Sequence, residues 1–271
     1  MTIPIPSKIK AYGHYLRYLY LLKTSPLLKK QLQDPLTIPV IIVNYNQLHD
    51  LKQLIGFLIS RQFKNIVILD NHSDYPPLLE YYRAIKDEVT VELLPENYGH
   101  MVFFERKELQ HKYGKGFFIL TDADIIPNPS LPEDFMDTLL KLIHTYFRNV
   151  TKVGFALDLN TIPDFYPMKE KVIDWEKQFW AAEVEKDLYK ANLDTTFALY
   201  KPGYPQHFNT QSFLKALRIA GNFTAVHGGW YINPEQFTEE NLHYIKSVGK
   251  SSTWKLDEQG KHDNKGQADY N

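Results

Sequence analysis

The sequence contains no cysteine. That excludes disulfides, thiolate zinc sites and thiol nucleophiles, and suits a reducing compartment. No apolar run approaches the ~20 residues that span a bilayer, and no secretion-signal core opens the chain. A cytoplasmic protein is therefore expected. Charge of one sign is also missing: 31 Lys and Arg stand against 32 Asp and Glu, for a formal net charge of -1. This argues against a dedicated nucleic-acid binder. Glycine is sparse, and none falls between residues 44 and 52. A sugar nucleotidyltransferase, which needs a Gly-rich loop after its first strand, is disfavoured on that ground.

What is abundant is apolar and aromatic. The 271 residues are 44% hydrophobic, with 18 Tyr, 16 Phe and 4 Trp, enough to build the core of a large α/β domain. The first 33 residues carry Lys8, Lys10, Arg17, Lys23, Lys29 and Lys30 and no acid. Ile9, Tyr12, Leu16 and Leu19 fall there at helical spacing, joined by Tyr15, Tyr20 and Leu22. A basic amphipathic helix of this kind could lie on the inner face of a membrane through residues 8–30, or simply pack on the domain.

From residue 40 onward, apolar runs alternate with helical patterns. The runs Val40–Val43, Asn65–Leu69, Val89–Leu94 and Gly116–Leu120 read as strands of a parallel sheet. Helical spacing over Leu48–Arg61, a Pro76-Pro77 helix start, and a segment over 100–112 fill the gaps. The second half is less regular, with a helix over 132–147, strands at Val153–Leu157 and Asp194–Tyr200, and much loop. The expected parts are a basic N-terminal segment (1–36), a first half (37–150), a second half of the same domain (151–250) and a polar tail (251–271).

Each strand of the first half ends in polar residues: Asn44 to Asn46, Asp70 to Asp74, Asn97 to His100, then Asp122 and Asp124. Such residues favour turns on their own account. Ligands of an open parallel sheet nonetheless bind beyond the carboxyl ends of its strands, so four polar ends point to one site. The sharpest element is Asp122-Ala-Asp124. Two carboxylates spaced i and i+2 at a strand end can share Mn²⁺ or Mg²⁺, ions that bind through one or two carboxylates plus substrate phosphates.

The series Val40-Ile-Ile-Val-Asn-Tyr-Asn46, Ile68-Leu-Asp-Asn-His-Ser73, Glu96-Asn-Tyr-Gly99 and Ile119-Leu-Thr-Asp-Ala-Asp124 resembles the nucleotide-binding half of family 2 glycosyltransferases. The resemblance implies a GT-A (Rossmann-like) fold of α/β class, with a mostly parallel central sheet flanked by helices and a loop-rich acceptor-binding half. It also implies a nucleotide-sugar donor, typically a UDP-sugar, and inversion at the anomeric carbon. Under it Asn44, Tyr45 and Asn46 border the nucleoside and Asp70 bonds the base. Asn97 and Gly99 lie near the donor, and Asp122 and Asp124 hold ribose and metal. A late histidine on the metal is expected at His227, where two glycines leave room for diphosphate. The family's usual Glu-Asp pair before the acceptor-side helix is missing. The base is therefore sought at Asp194, at the start of a second-half strand, or at Glu176 and Asp174 among Trp175, Phe179 and Trp180. The implied acceptor is a glycan or lipid-linked glycan. Two other readings remain open at this point. One is a haloacid-dehalogenase-like phosphatase with Asp122 as nucleophile; the other is a non-catalytic sugar- or nucleotide-binding module.

Overall fold

The computed structural model describes residues 7–202, 213–248 and 254–262, with the side chains of residues 7–10 outside the described part. The side chains of Lys8, Ile9 and Lys10 and most of the expected polar tail thus lie outside the described part. One mixed sheet of ten strands runs through both halves of the chain. Its first half is β1 (Val40–Asn44), β2 (Ile66–Asp70), β3 (Thr90–Leu93) and β4 (Phe118–Asp122), all parallel in the order β3-β2-β1-β4. β1 and β2 are buried along their whole length, as strands covered on both faces must be. β3 is instead an exposed edge.

Helices α1 (Ser7–Thr24) and α2 (Pro26–Gln33) precede β1, and α3 (His49–Ser60) and α4 (Pro76–Ala84) connect β1 to β2 and β2 to β3. Leu51, Leu54, Ile55 and Leu58 form the buried face of α3, as their spacing requires. The helix expected over 100–112 is split at Arg106 into α5 (Val102–Glu105) and α6 (Lys107–Tyr113).

Beyond β4 come β5 (Ile125–Pro127), α7 (Phe135–Thr145), β6 (Lys152–Leu157), α8 (Lys169–Glu176), β7 (Glu183–Glu185), β8 (Leu188–Asn192), β9 (Ala198–Tyr200), β10 (Lys215–His227) and α9 (Glu239–Ser247). β6, β7 and β10 run with the first four strands, whereas β5, β8 and β9 run against them. β9 is inserted antiparallel between β4 and β6. Its leading residues, 194–197, are therefore drawn to the carboxyl end of β4. The strand expected over Asp194–Tyr200 is real only from Ala198, because 194–197 form this approach. β5 pairs with the end of β10 and sets His227 opposite Ile125.

Candidate active site

The strand order changes direction at β1: the chain moves to β2 on one side and, later, to β4 on the other. Between the carboxyl ends of such a pair the loops diverge and leave a crevice. Asn44 closes β1 and Asp122 closes β4, with Val43 and Asp122 in register.

Asp122 is held from two sides. Its backbone N–H donates to Thr195 O at 2.8 Å, and the Thr195 hydroxyl donates to its Oδ2. Burial, then the neighbouring Asp124, push its carboxyl well above the usual range. Asp194 adds to the push, which locates it in the same neighbourhood. Asp124 is 6% exposed, and among the described residues its carboxylate has long contacts, with Gln47 Nε2 at 3.4 Å and His227 Nδ1 at 3.5 Å. His227 stacks flat on Trp230, with centroids 4.9 Å apart, and its buried Nδ1 has no hydrogen-bond partner. Gly228 donates its N–H to Asp124 O at 2.7 Å. A Cβ on Gly228 would run into the Asp50 carboxylate, and one on Gly229 would crowd the His227 ring. The glycines are thus needed for close approach.

Asp50, in the first turn of α3, is the residue that sequence reasoning missed. Burial, then Asp124 and Glu240, push its carboxyl up to about 7. Nothing in the sequence sets it apart from an ordinary acidic residue at a helix start. Glu240, also missed, caps α3 from across the chain, accepting from the N–H groups of Leu48 at 2.7 Å and His49 at 3.0 Å.

Several expected site residues are engaged by the protein itself. Asp70 is buried, with Oδ1 accepting from Ser73 N–H and Oδ2 from the Tyr82 hydroxyl, at 2.8 and 2.7 Å. Base contact through this carboxylate does not fit that arrangement; Asp70 ties the β2 loop to α4. Asn46 is fully buried at φ 53, a conformation Asn tolerates. Its amide bonds Asp74, Ser247 and the N–H groups of Asp74 and Tyr75. Asn44 donates to Gln47 O and the Tyr82 hydroxyl, while its buried Oδ1 has no partner. The Tyr45 hydroxyl donates to Ser247 O. These three residues build the β1 loop and dock α9 on it.

Asn97 and Gly99 form a tight turn, with Asn97 Oδ1 accepting from Gly99 N–H at 2.8 Å and Gly99 at φ 79. Asn71 holds that turn to β2 through Gly99 O.

Of the expected bases, Glu176 is the clear correction. It is 4% exposed and paired with the equally buried Arg218 at 2.6 Å. A carboxylate spent on a buried guanidinium is not free to accept an acceptor's proton. Asp174 pairs with Lys177 on the surface. Asp194 remains at the crevice, its backbone oxygen bound by Lys152 Nζ at 2.8 Å. Lys152 is wholly buried, and burial holds its amine well below the usual lysine range.

Asp122, Asp124 and His227 do not close a cage. Among the described residues, no three His, Asp or Glu side chains converge tightly enough to hold a metal ion alone. The donor set still fits a hard cation completed by substrate oxygens: two carboxylates, an unpartnered buried imidazole nitrogen, and glycines where side chains would intrude.

No protein-family model matches the chain, and no curated protein matches it. Among solved structures it is similar to the mannosyltransferase PcManGT from Pyrobaculum calidifontis, determined in complex with GDP-Man and Mn²⁺. Identity is 14% over 89% of this chain and 72% of that one, with a TM-score of 0.44. It is also similar to S. aureus TarS 1-349, at 14% identity over 82% of this chain and 67% of that one, with a TM-score of 0.43. Against the longer TarS structure the corresponding values are 14%, 82%, 41% and 0.45, so this chain spans less than half of that one.

Proposed function

We propose that the chain is a metal-dependent glycosyltransferase of GT-A type, moving a sugar from a nucleotide diphosphate donor, a UDP-sugar in the first instance, to a glycan hydroxyl with inversion. One observation carries this reading. Asp122 ends the strand beside the sheet's switch point, Asp124 follows in the turn to β5, and the Asp124 carboxylate lies 3.5 Å from the His227 Nδ1, which has no hydrogen-bond partner among the described residues. Asp122, Asp124 and His227 would hold Mn²⁺ or Mg²⁺ together with donor phosphates. An ion held there would supply positive charge to offset that of a leaving diphosphate.

The remaining tasks fall to the chain itself. Thr195 fixes Asp122 by bonding both its N–H and its carboxylate. Asp194, on the same segment, is the proposed base that accepts the proton of the attacking hydroxyl. The proposed division is a donor half over 37–150 and an acceptor half over 151–250. The phosphatase reading has less support. The Asp122-Ala-Asp124 pair follows β4, the fourth strand in chain order, and Ile126 stands two positions beyond Asp124 where a phosphatase of that kind would carry Thr or Val.

A thermal-shift panel of UDP, GDP and their sugars with Mn²⁺, followed by a diphosphate-release assay with glycan acceptors, tests the proposal. A nucleotide diphosphate that stabilises the protein only with the ion, and release that requires an acceptor, are expected. Nucleotide binding without acceptor-dependent release would favour the non-catalytic module. Hydrolysis of simple phosphate esters would favour the phosphatase.

A further inference from the structure

The amino-terminal helices are fixed to the body on one side and bare on the other. Inward, Tyr18 stacks on Phe147 with centroids 4.1 Å apart, and its hydroxyl bonds His144 Nδ1 at 3.2 Å. The buried Gln31 side chain bonds both the carbonyl and the N–H of Phe117, at 2.8 and 2.9 Å. The pair is therefore a built part of the domain. Outward, Tyr12, Leu16 and Tyr20 follow one another at i, i+4 and i+8 and are 52%, 49% and 65% exposed. Leu27 and Leu32 on α2 are exposed as well. A contiguous apolar row of this kind on a surface marks an interaction site, whereas single exposed leucines do not.

Charge selects the partner. Arg17, Lys23, Lys29 and Lys30 are exposed beside this row, and none pairs with a carboxylate among the described residues. No acid occurs in the first 33 residues. A second copy docking symmetrically would set these cations against themselves. An anionic bilayer surface satisfies both features: tyrosine rings and leucines enter the headgroup boundary while Lys and Arg face anionic lipid. No described helix is long and apolar enough to cross the membrane, so the contact is with its surface.

We infer that the outer face of α1 and α2, centred on Tyr12, Leu16 and Tyr20 with Arg17 and Lys23, docks the protein on an anionic membrane surface. Its placement has a consequence. α2 packs on Phe117, which enters β4 at its amino end, whereas Asp122 ends that strand. A docked molecule holds the candidate site at the opposite end of β4, about 17 Å along the strand from Phe117. In the transferase reading, on which this consequence alone rests, the acceptor hydroxyl is then reached away from the headgroups, as at the growing end of a long glycan.

Co-sedimentation of the full chain with phosphatidylglycerol and with phosphatidylcholine vesicles tests the docking. Binding to the first alone, weakened by salt, is expected. A Tyr12→Ser/Leu16→Ser/Tyr20→Ser variant and an Arg17→Glu/Lys23→Glu variant should each bind at least about tenfold more weakly. These side chains are exposed, so unfolding temperature and nucleotide binding should stay as in the parent. Negligible pelleting with both vesicles overturns the proposal. So does a dimer that the triple serine variant dissolves, because that result assigns the face to a second copy. Failure of the transferase reading would show in nucleotide binding and leave the vesicle result untouched.

Discussion

The two halves of the sheet solve different problems. The first is built from parallel strands, and on β1, β2 and β4 the polar residues fall at the carboxyl ends. The second carries charge into the interior: Lys152, Glu176 and Arg218 are all buried, on or beside β6, α8 and β10. Lys152 Nζ holds the carbonyl of Asp194 and the Tyr200 hydroxyl, each at 2.8 Å, and Arg218 Nε holds the carbonyl of Asn192 at 2.7 Å. Two buried basic side chains thus grip the segment that leads to Thr195 and hence to Asp122. Hydrophobic side chains could fill such sites with equal or better stability, so their use here points to positioning.

The comparison is broken most sharply at the crevice. Asp122→Asn and Asp124→Asn should each lower transfer by about a hundredfold or more, through loss of charge stabilisation at the diphosphate. Asp194→Asn should lower turnover by ~10²–10⁴ while donor affinity, read by calorimetry, is retained. Full turnover in that variant would remove Asp194 as base.

The next largest effect belongs to the buried pair. Glu176→Ala leaves Arg218 buried and unpaired and should cost about 3–5 kcal/mol in denaturant unfolding. A Glu176→Leu/Arg218→Met double variant should recover most of that loss. If Glu176→Ala were as stable as the parent yet inactive, Glu176 would return as a catalytic candidate.

Smaller effects sharpen the picture of the first half. Asp50 has a carboxyl raised to about 7, so its folded form holds a proton that the unfolded chain has released. That contribution to stability is fully present below the usual aspartate range and is lost as pH rises through about 7. Metal-free protein should therefore lose stability across this window, and Asp50→Asn should flatten the loss, as followed by unfolding temperature against pH. Glu240→Ala removes the acceptor for the Leu48 and His49 N–H groups and should cost about 1 kcal/mol.

The same contrast explains what could be read in the sequence. β1, β2 and β4 were legible because a strand buried on both faces must be a continuous apolar run, and α3 because one helical stripe is buried. The place of Asp122 at the end of β4, with Asp124 just beyond it, was legible because the apolar run before them fixes the strand. The second half was not, since β7 is exposed throughout and β10 is buried only over part of its length. α9 opens on a capping box of Thr238 and Asn241, but Asn stands where the usual signature has Glu or Gln, so its start was not marked in the sequence. The role of Glu176 could not be read, because a buried ion pair depends on α8 and β10 meeting across 42 positions. The loop-building bonds of Asp70 and Asn46 were not legible for a related reason. A polar residue at a strand end can serve the ligand or the loop, and only its hydrogen-bond partners tell which.

Calorimetric titration of UDP and GDP into the parent protein and into Asp124→Asn, with and without Mn²⁺, probes the site most directly. Affinity for one diphosphate that depends on Mn²⁺ and is lost in the variant is the predicted result. Equal affinity without the ion, or in the variant, would contradict a carboxylate-held cation as the grip on the donor.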